Sequence, residues 1–306
     1  MDGRLPHSFT RIICGRKDFE MPVNYALKYA DKVDERFKLG SLTAGLFGEN
    51  GYDWIGVQTV RVFSRSLTTL NNYSDTGTSR YGTPANLENA YQEMTISQDK
   101  SFTYVIDRKT EQDTNGTMEA AATLAENIDN VLIPAVDTYR LGVLAAAAPA
   151  SGTYTEANHT ITAAAAITSS NAYATFLGAQ EILDNDKAPA GGRVAVVSPA
   201  FYNLIKLDEN FVKRGDMATQ IAINGVVGEI DGVPIIKVPA IYLPAKVNFI
   251  ITNPLAAVSP VKIQEFKIHD NAPGISGSLV EARFRYDAFA LNKKKDAIVV
   301  HKNPAT

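Results

Sequence analysis

The chain has 306 residues, of which 45% are hydrophobic and 21% charged, and its formal net charge is −3. This composition is typical of a globular chain with one elaborate domain or two linked ones. The small net charge gives no electrostatic reason to expect nucleic acid or an anionic membrane as a partner. One cysteine, Cys14, excludes an intrachain disulfide framework, and the four histidines lie at no metal-binding spacing, so we predict no cofactor and no metal.

The first twenty residues have no apolar run of the length that a secretory signal needs, and no later stretch is apolar for long enough to cross a bilayer. We therefore expect no export by that route and no membrane partner. The segment MPVNYALKYADKVDERF, which begins at Met21, reads like a natural start, whereas the residues before it show no periodicity. We expect translation to begin at Met21. The alternative is a disordered arm over the first twenty residues.

Two segments, residues 55–67 and 94–107, alternate polar and apolar side chains with the period of two that is typical of half-buried strands. The residues between them are rich in Asn, Ser, Thr, Gly and aromatic types but poor in aliphatic ones, so they cannot supply a core. We predict a long hairpin that projects from the body and lays its apolar face on a partner surface, because an isolated ribbon is barely stable in water. The alternative is an ordinary strand pair in a larger sheet.

Residues 117–147 carry apolar side chains at steps of three and four, which predicts one long amphipathic helix. At ~1.5 Å per residue it would extend roughly 45 Å. Pro134 lies in its middle and should bend or split it. The alanine-rich stretch that follows, with Pro149 and Gly152, marks a subdomain boundary.

The second half of the chain predicts α/β packing. A helix capped by Ser170 precedes a buried strand, RVAVVS, and a second helix begins at Pro199, an acceptable first helical residue. No glycine-rich phosphate loop follows the strand, and the chain contains no Gly-x-Ser-x-Gly or His-Glu-x-x-His motif. We therefore predict that the chain is not an enzyme and has no catalytic residues.

The segment 228–244, GEIDGVPIIKVPAIYLP, combines three prolines with many apolar residues. Asp231 and Gly232 between two apolar runs predict a tight hairpin turn. Pro234, Pro239 and Pro244 cannot donate to a sheet ladder, so we expect this strand at an edge or in an exposed loop, with its apolar side chains on display.

The order of these segments resembles the major capsid proteins of tailed bacteriophages over residues 22–303. The segments that carry the resemblance are VNYALKYADKVDERFKLGSLT, YDWIGVQTVRV, SRYGTPANLENAYQEMTISQDKSFTYVIDR, IPAVDTYRL, GRVAVVSPAFYNLIK, GEIDGVPIIKVPAIYLP and EARFRYDAFALNKKKDAIVVHKN. The resemblance implies the Hong Kong 97-type capsid fold, an α+β fold with an N-terminal arm, an extended β-hairpin loop, a long spine helix and an α/β axial domain.

The implied domains follow that order along the chain. They are the N-terminal arm (1–54), the extended loop (55–107), the peripheral domain with the spine helix (108–150), the axial domain (151–255) and a return to the peripheral sheet (256–306). The closing segment alternates like paired strands, which fits such a return. Lys293, Lys294 and Lys295 within it are expected to form a solvated corner rather than a DNA-binding patch.

The resemblance also implies a function: a coat protein that self-assembles, in the host bacterial cytoplasm, into hexamers and pentamers of an icosahedral head shell. Its further partners would be a separate scaffolding protein, a portal and double-stranded DNA that is bound without sequence specificity. The candidate intersubunit contacts are Arg61, Arg65, Tyr73, Arg80, Tyr81 and Tyr91. The candidate hinges are Gly77, Gly82 and Pro134, and the candidate axial-loop residues are Gly228, Asp231, Gly232 and Pro234.

The sequence departs from this family in one respect. Some members join subunits by an isopeptide bond from an extended-loop lysine to an asparagine, but residues 39–99 contain no lysine. The loop carries Arg61, Arg65 and Arg80 instead, and a guanidinium group stays protonated and is a poor nucleophile. We expect boiled denaturing gels of mature particles to show only monomers.

Three other functions stay open on the sequence. An encapsulin-type nanocompartment would share the fold and differ in an enzyme cargo. A secreted adhesin or surface-layer protein would need an export signal. An enzyme of unrecognised type would need a pocket with convergent ionisable groups.

Overall fold

In the computed structural model, the described residues are 41–48, 59–66, 68–84, 86, 89–114, 119–154, 157–209, 228–270 and 272–304. The expected start at Met21, most of the predicted arm and the first residues of the predicted extended loop lie outside these ranges. Of the predicted arm, the residues 41–48 are described, and Leu46 packs there in a core shared with the large sheet.

The strands are, in chain order, β1 (Thr59–Arg65), β2 (Asn89–Thr95), β3 (Gln98–Asp107), β4 (Thr160–Thr162), β5 (Val194–Val197), β6 (Glu229–Ile230), β7 (Val233–Lys237), β8 (Val247–Thr252), β9 (Ala257–Val258), β10 (Val261–Asp270), β11 (Gly277–Tyr286), β12 (Phe289–Ala290) and β13 (Ile298–Lys302). The α-helices are α1 (Arg108–Asp113), α2 (Ala120–Asn127), α3 (Ile133–Ala147), α4 (Ala172–Asn185) and α5 (Pro199–Leu207). Short 3-10 turns lie at Ala44–Leu46, Ala240–Tyr242, Pro254–Ala256 and Lys295–Ala297.

The long helix predicted from the periodicity is present, because a π-helical turn at Ile128–Leu132 joins α2 to α3 without a break. Pro134 does not split it. A proline cannot donate the backbone hydrogen bond of a regular turn. The π turn, a local widening of the helix, ends at Leu132, two residues before Pro134. The helix spans both main sheets, since Leu124 packs with the sheet of β10, β11 and β3, whereas Leu141 packs with the larger sheet. We call α2, the π turn and α3 together the spine helix.

The larger sheet has six strands in the order β4-β13-β8-β5-β7-β6. Helices α4 and α5 cover one face and α3 covers the other, so the predicted α/β packing is confirmed. Helix α5 begins at Pro199 as predicted, and Ser198 Oγ accepts a hydrogen bond from Phe201 N at 3.3 Å. The predicted cap of α4 is wrong, because Asn171 rather than Ser170 is its N-cap residue.

The closing segment divides between two sheets. Strands β10 and β11 form a three-stranded sheet with β3, which fits the predicted return. The last strand, β13, instead lies inside the six-stranded sheet between β4 and β8. Its residues Ile298, Val299 and Val300 are fully buried, and only the sheet with two covered faces can bury consecutive apolar residues. Lys293 and Lys294 are exposed in the preceding turn.

The prediction for residues 228–244 is half right. Asp231 and Gly232 form the tight turn between β6 and β7, with φ values of 51° and 72°. The predicted exposure of apolar side chains holds at Ile241, which is 81% exposed. It is wrong for Ile230, Val233 and Val238, which are buried in the protomer's own cores. Strand β7 is second from the edge, and Pro234 precedes the first residue paired with β5, so its missing N–H falls outside that ladder.

Candidate functional site

The hairpin is formed by β1 and β2, whose register runs from the pair Thr59–Thr95 to the pair Arg65–Asn89. It is a separate two-stranded sheet, and β3 pairs with β11 instead. The strand predicted over residues 94–107 is therefore interrupted. At the interruption, Ser97 donates from its N and its Oγ to Asp287 Oδ2, at 2.7 and 2.9 Å, which takes the Ser97 N–H out of any ladder.

The apolar face of the hairpin is covered by the chain's own body. Val60 and Val62 of β1 and Met94 of β2 pack with Val258 and Leu291. This corrects the expectation that the apolar face seeks a partner surface. A surface available to a neighbour must therefore lie on the opposite face of the hairpin or at its tip.

The side chain of Gln92, on the same face of the hairpin, forms hydrogen bonds with the backbone of the body at Ala290 and Asn292. Its Nε2 donates to the carbonyl oxygen of Ala290 at 2.8 Å, and its Oε1 accepts from the N–H of Asn292 at 2.9 Å. Both ends of the amide are thus satisfied. The hairpin has a defined orientation where it leaves the body.

The outward face of the hairpin carries a group that we call the strand cluster: Arg61, Phe63, Tyr91 and Glu93. The Arg61 guanidinium lies 5.1 Å from the centre of the Tyr91 ring, and its Nε donates to Glu93 Oε1 at 2.7 Å. The rings of Phe63 and Tyr91 are 6.4 Å apart, and these side chains are 73% and 58% exposed. The sequence prediction included Arg61 and Tyr91 but missed Phe63. The signal was available, since Phe63 shares the odd-numbered face of β1 with Arg61 and Arg65.

The hairpin tip carries a second exposed group, the tip cluster: Leu70, Tyr73 and Tyr81. Leu70 is fully exposed and Tyr81 is 83% exposed. The two tyrosine rings meet nearly edge to face at 5.2 Å between centres. Ser74 N donates to the Arg80 carbonyl at 3.0 Å, which holds the two tyrosines on adjacent chain segments.

The two tip glycines differ in their surroundings. Both have a positive φ, 88° for Gly77 and 84° for Gly82, so a side chain at either position would be strained. At Gly82 the Asn71 side chain already occupies the position of a Cβ atom, whereas the position at Gly77 is open. The predicted role of these glycines as hinges stays a prediction.

The structure brings the candidate contacts into two groups and leaves the others apart. Arg61 and Tyr91 lie in the strand cluster, and Tyr73 and Tyr81 form the tip cluster. Arg65 is exposed at the end of β1, and Arg80 Nε donates to the carbonyl oxygen of Gly77 at 3.3 Å. The axial-loop candidates Gly228, Asp231, Gly232 and Pro234 are exposed around the β6–β7 turn, at the edge of the large sheet.

Within the described ranges, no group of three His, Cys, Asp or Glu side chains is placed to hold a metal ion. No helix in the same ranges is both long and apolar enough to span a membrane.

The chain has the Hong Kong 97-type α+β capsid fold, as comparison with solved structures shows. A structure from Mycobacterium phage Che8 matches with a TM-score of 0.72 and 18% identity, over 90% of this chain and 96% of that chain. The capsid of cyanophage P-SCSP1u matches with a TM-score of 0.72 and 15% identity, over 92% and 94%. The mature capsid of bacteriophage PhiM1 matches with a TM-score of 0.70 and 14% identity, over 97% of both chains. No protein-family model and no curated protein matches the sequence.

Proposed function

We propose that this chain is the major capsid protein of a tailed bacteriophage, which self-assembles into an icosahedral head shell around double-stranded DNA. One observation carries the proposal: a hairpin on a capsid fold exposes aromatic and arginine side chains that the body does not cover. Tyr and Arg are the residue types that dominate the energy of protein interfaces, and exposed aromatic groups of this kind are typical of interaction surfaces.

The hairpin suits assembly by many weak contacts. A closed shell of identical chains repeats one modest interface many times, so a few kcal/mol per contact yields a cooperative particle. The same chain would fill hexamers and pentamers, which requires places of bending. Pro134 in the spine helix and Gly77 and Gly82 at the tip are our candidates for such bending.

The remaining partners follow from this function. We infer a separate scaffolding protein, a portal and packaged DNA held without sequence specificity, with assembly in the host cytoplasm and a structural rather than enzymatic role. The net charge of −3 favours packaging of DNA without a dedicated DNA-binding surface, because such a surface is usually strongly basic.

The test is electron microscopy of the full chain, expressed alone and with the neighbouring genes. We expect closed icosahedral shells, and mass spectrometry should find DNA-packaging partners rather than an enzyme cargo. An enzyme cargo would favour the nanocompartment alternative. Failure to form any closed particle with all neighbouring gene products present would overturn the proposal.

A matched pair of variants focuses this test on the hairpin. Tyr91 and Tyr154 are both 58% exposed, and each ring has a cation nearby, Arg61 at 5.1 Å and Lys187 at 4.0 Å. Tyr91→Ser should impair shell formation, because Tyr91 lies in the strand cluster. Tyr154→Ser, outside the hairpin, should leave shell formation unchanged. Equal behaviour of the two variants would remove the strand cluster from the interface.

A further inference from the structure

The described end of the predicted N-terminal arm is tied to helix α3 by one buried carboxylate. Asp137, which is fully buried, accepts hydrogen bonds from Ser41 Oγ, Leu42 N and Thr43 Oγ1, at 2.9, 2.9 and 2.5 Å. Three donors on one carboxylate is a strong, charge-assisted arrangement. We call residues 41–43 the arm root.

The hairpin is tied to the same helix by a second buried carboxylate. Asp287 accepts from Ser97 with Oδ2, and its Oδ1 accepts from the hydroxyl of Tyr139 on α3 at 2.7 Å. Burial, with the hydrogen bond to Asp287, raises the pKa of Tyr139, so the tyrosine hydroxyl remains a donor at neutral pH. We call Ser97 and Asp287 the hairpin root.

Arg140, also on α3, connects the two roots. Its Nη1 donates to Thr43 Oγ1 at 3.3 Å, and its Nε donates to Ser259 Oγ at 2.8 Å. Ser259 Oγ in turn donates to the Asp287 carbonyl oxygen at 2.9 Å. A guanidinium group can only donate, so both hydroxyls accept a hydrogen bond from it. Each hydroxyl then donates its own hydrogen, Thr43 to Asp137 and Ser259 to the carbonyl oxygen of Asp287. The hydrogen bonds thus run without a break from the arm root to the hairpin root.

We propose that this chain of hydrogen bonds is a relay that sets the orientation of the hairpin according to the position of the arm root. Loss of the Thr43 hydroxyl would remove the hydrogen-bond acceptor of Arg140 Nη1, which otherwise lies 4.0 Å from Asp137 Oδ1, and one of the three donors to Asp137. Such half-satisfied buried networks are unfavourable, because each unsatisfied group keeps its desolvation penalty and the remaining hydrogen bonds lose the polarisation that the missing one supplied. The coupling is a property of the single chain. Only its consequence, a coordinated fit of arm and hairpin against neighbouring subunits, rests on the proposed function.

The relay is tested by the distance between two spin labels in the full chain. Cysteines replace exposed Asp75 at the hairpin tip and exposed Glu181 on α4, in a Cys14→Ser background. The labelled protein is diluted into unlabelled protein so that only distances within one chain are measured. Thr43→Val removes the hydroxyl with little change of shape. We expect it to widen the distance distribution at least twofold. Tyr139→Phe, which removes the hydroxyl that donates to Asp287 of the hairpin root, should widen it as well.

The controls remove an equivalent hydrogen bond outside the relay. Tyr104 OH donates to Thr123 Oγ1 on α2 at 3.1 Å, so Thr123→Val and Tyr104→Phe should leave the distribution unchanged. Ser259→Ala breaks the relay between its ends and replaces Thr43→Val if that variant does not fold. The relay is overturned if Tyr139→Phe widens the distribution and neither Thr43→Val nor Ser259→Ala does. It is equally overturned if none of the three has an effect. A parent chain that forms no shells would refute the proposed function and leave this result standing.

Discussion

At the scale of single residues, Gln180 on α4 has a buried side-chain nitrogen with no hydrogen-bond partner in the described part of the chain. An unsatisfied buried donor costs about 1–3 kcal/mol. We expect Gln180→Leu to raise the free energy of unfolding by about 1 kcal/mol in urea denaturation. Gln92→Leu is the matched comparison, because both ends of the Gln92 amide are bonded. It should lower stability, and a loss of stability in both variants would contradict the assignment.

His301 on β13 gives a pH dependence with a defined sign. Its Nδ1 lies 3.2 Å from Asn248 Nδ2, a donor, so the imidazole accepts there and is neutral, and burial lowers the His301 pKa. In the unfolded chain the His301 imidazole binds a proton as the pH falls through about 6.5, whereas in the folded chain it stays neutral at that pH. Stability from this group is therefore present above pH 6.5 and is lost as pH falls through the lowered folded pKa, by up to about 1.4 kcal/mol per pH unit.

We expect His301→Gln to reduce this loss of stability between pH 6.5 and 5, as measured by urea denaturation at a series of pH values. His269→Gln, at an exposed histidine, is the control for the substitution itself. Identical pH profiles for His301→Gln and the parent would exclude His301 as a source of acid sensitivity.

At the scale of elements, the sequence predicts those whose pattern is set by one burial environment. The spine helix can be predicted because its apolar residues recur at steps of three and four, and Leu124, Leu141 and Leu144 among them are buried. The interruption between β2 and β3 was not visible, because Asp287, which lies far along the sequence, binds Ser97 there. The burial of Ile230 and Val233 could not be predicted either. The positions of prolines indicate where a strand lacks backbone donors, but not which other elements cover its faces.

Pro134 supports a further prediction for the spine helix. It follows the π turn, and Thr138 Oγ1 donates to its carbonyl oxygen at 2.8 Å. Because proline in a helix interior costs about 3 kcal/mol, part of which the π turn relieves, Pro134→Ala should raise the free energy of unfolding by about 1–2 kcal/mol. Thermal unfolding checks this, with Pro273→Ala, in the turn before β11, as a control without gain. A destabilised Pro134→Ala would show that the π turn is imposed by packing rather than by the proline.

At the scale of the whole molecule, the residues of the two exposed clusters can be predicted from the sequence, whereas the buried relay becomes apparent only in the fold. The strand and tip clusters consist of residues whose alternation or polar context marks them as exposed, so most of them could be selected from the sequence. The arm root, Arg140 and the hairpin root come from four distant segments, and nothing local distinguishes Asp137 or Asp287 from other acidic residues. Their role depends on the spine helix, which brings these segments together.

The hairpin tip gives the most direct test of the whole arrangement. Replacing residues 68–86 with a short Gly-Ser turn removes the tip cluster, which is exposed and contributes little to the protomer's own core. The cut leaves β1, β2 and the Gln92 bonds in place. Shortening a flexible loop changes its closure entropy only logarithmically, by roughly 0.6 kcal/mol per halving. The variant should therefore unfold cooperatively at nearly the parent temperature.

The same variant should lose the ability to form shells in sedimentation and electron microscopy, with any scaffolding protein supplied, because the contacts of the tip with a neighbour are gone. A control in which Thr76 and Ser79 are replaced by alanine keeps the tip length and the tip cluster and should still assemble. Normal shells from the shortened chain would show that the tip makes no essential contact between subunits. Misfolding of the shortened chain would show instead that the tip stabilises its own protomer, which the exposure of Leu70 and Tyr81 argues against.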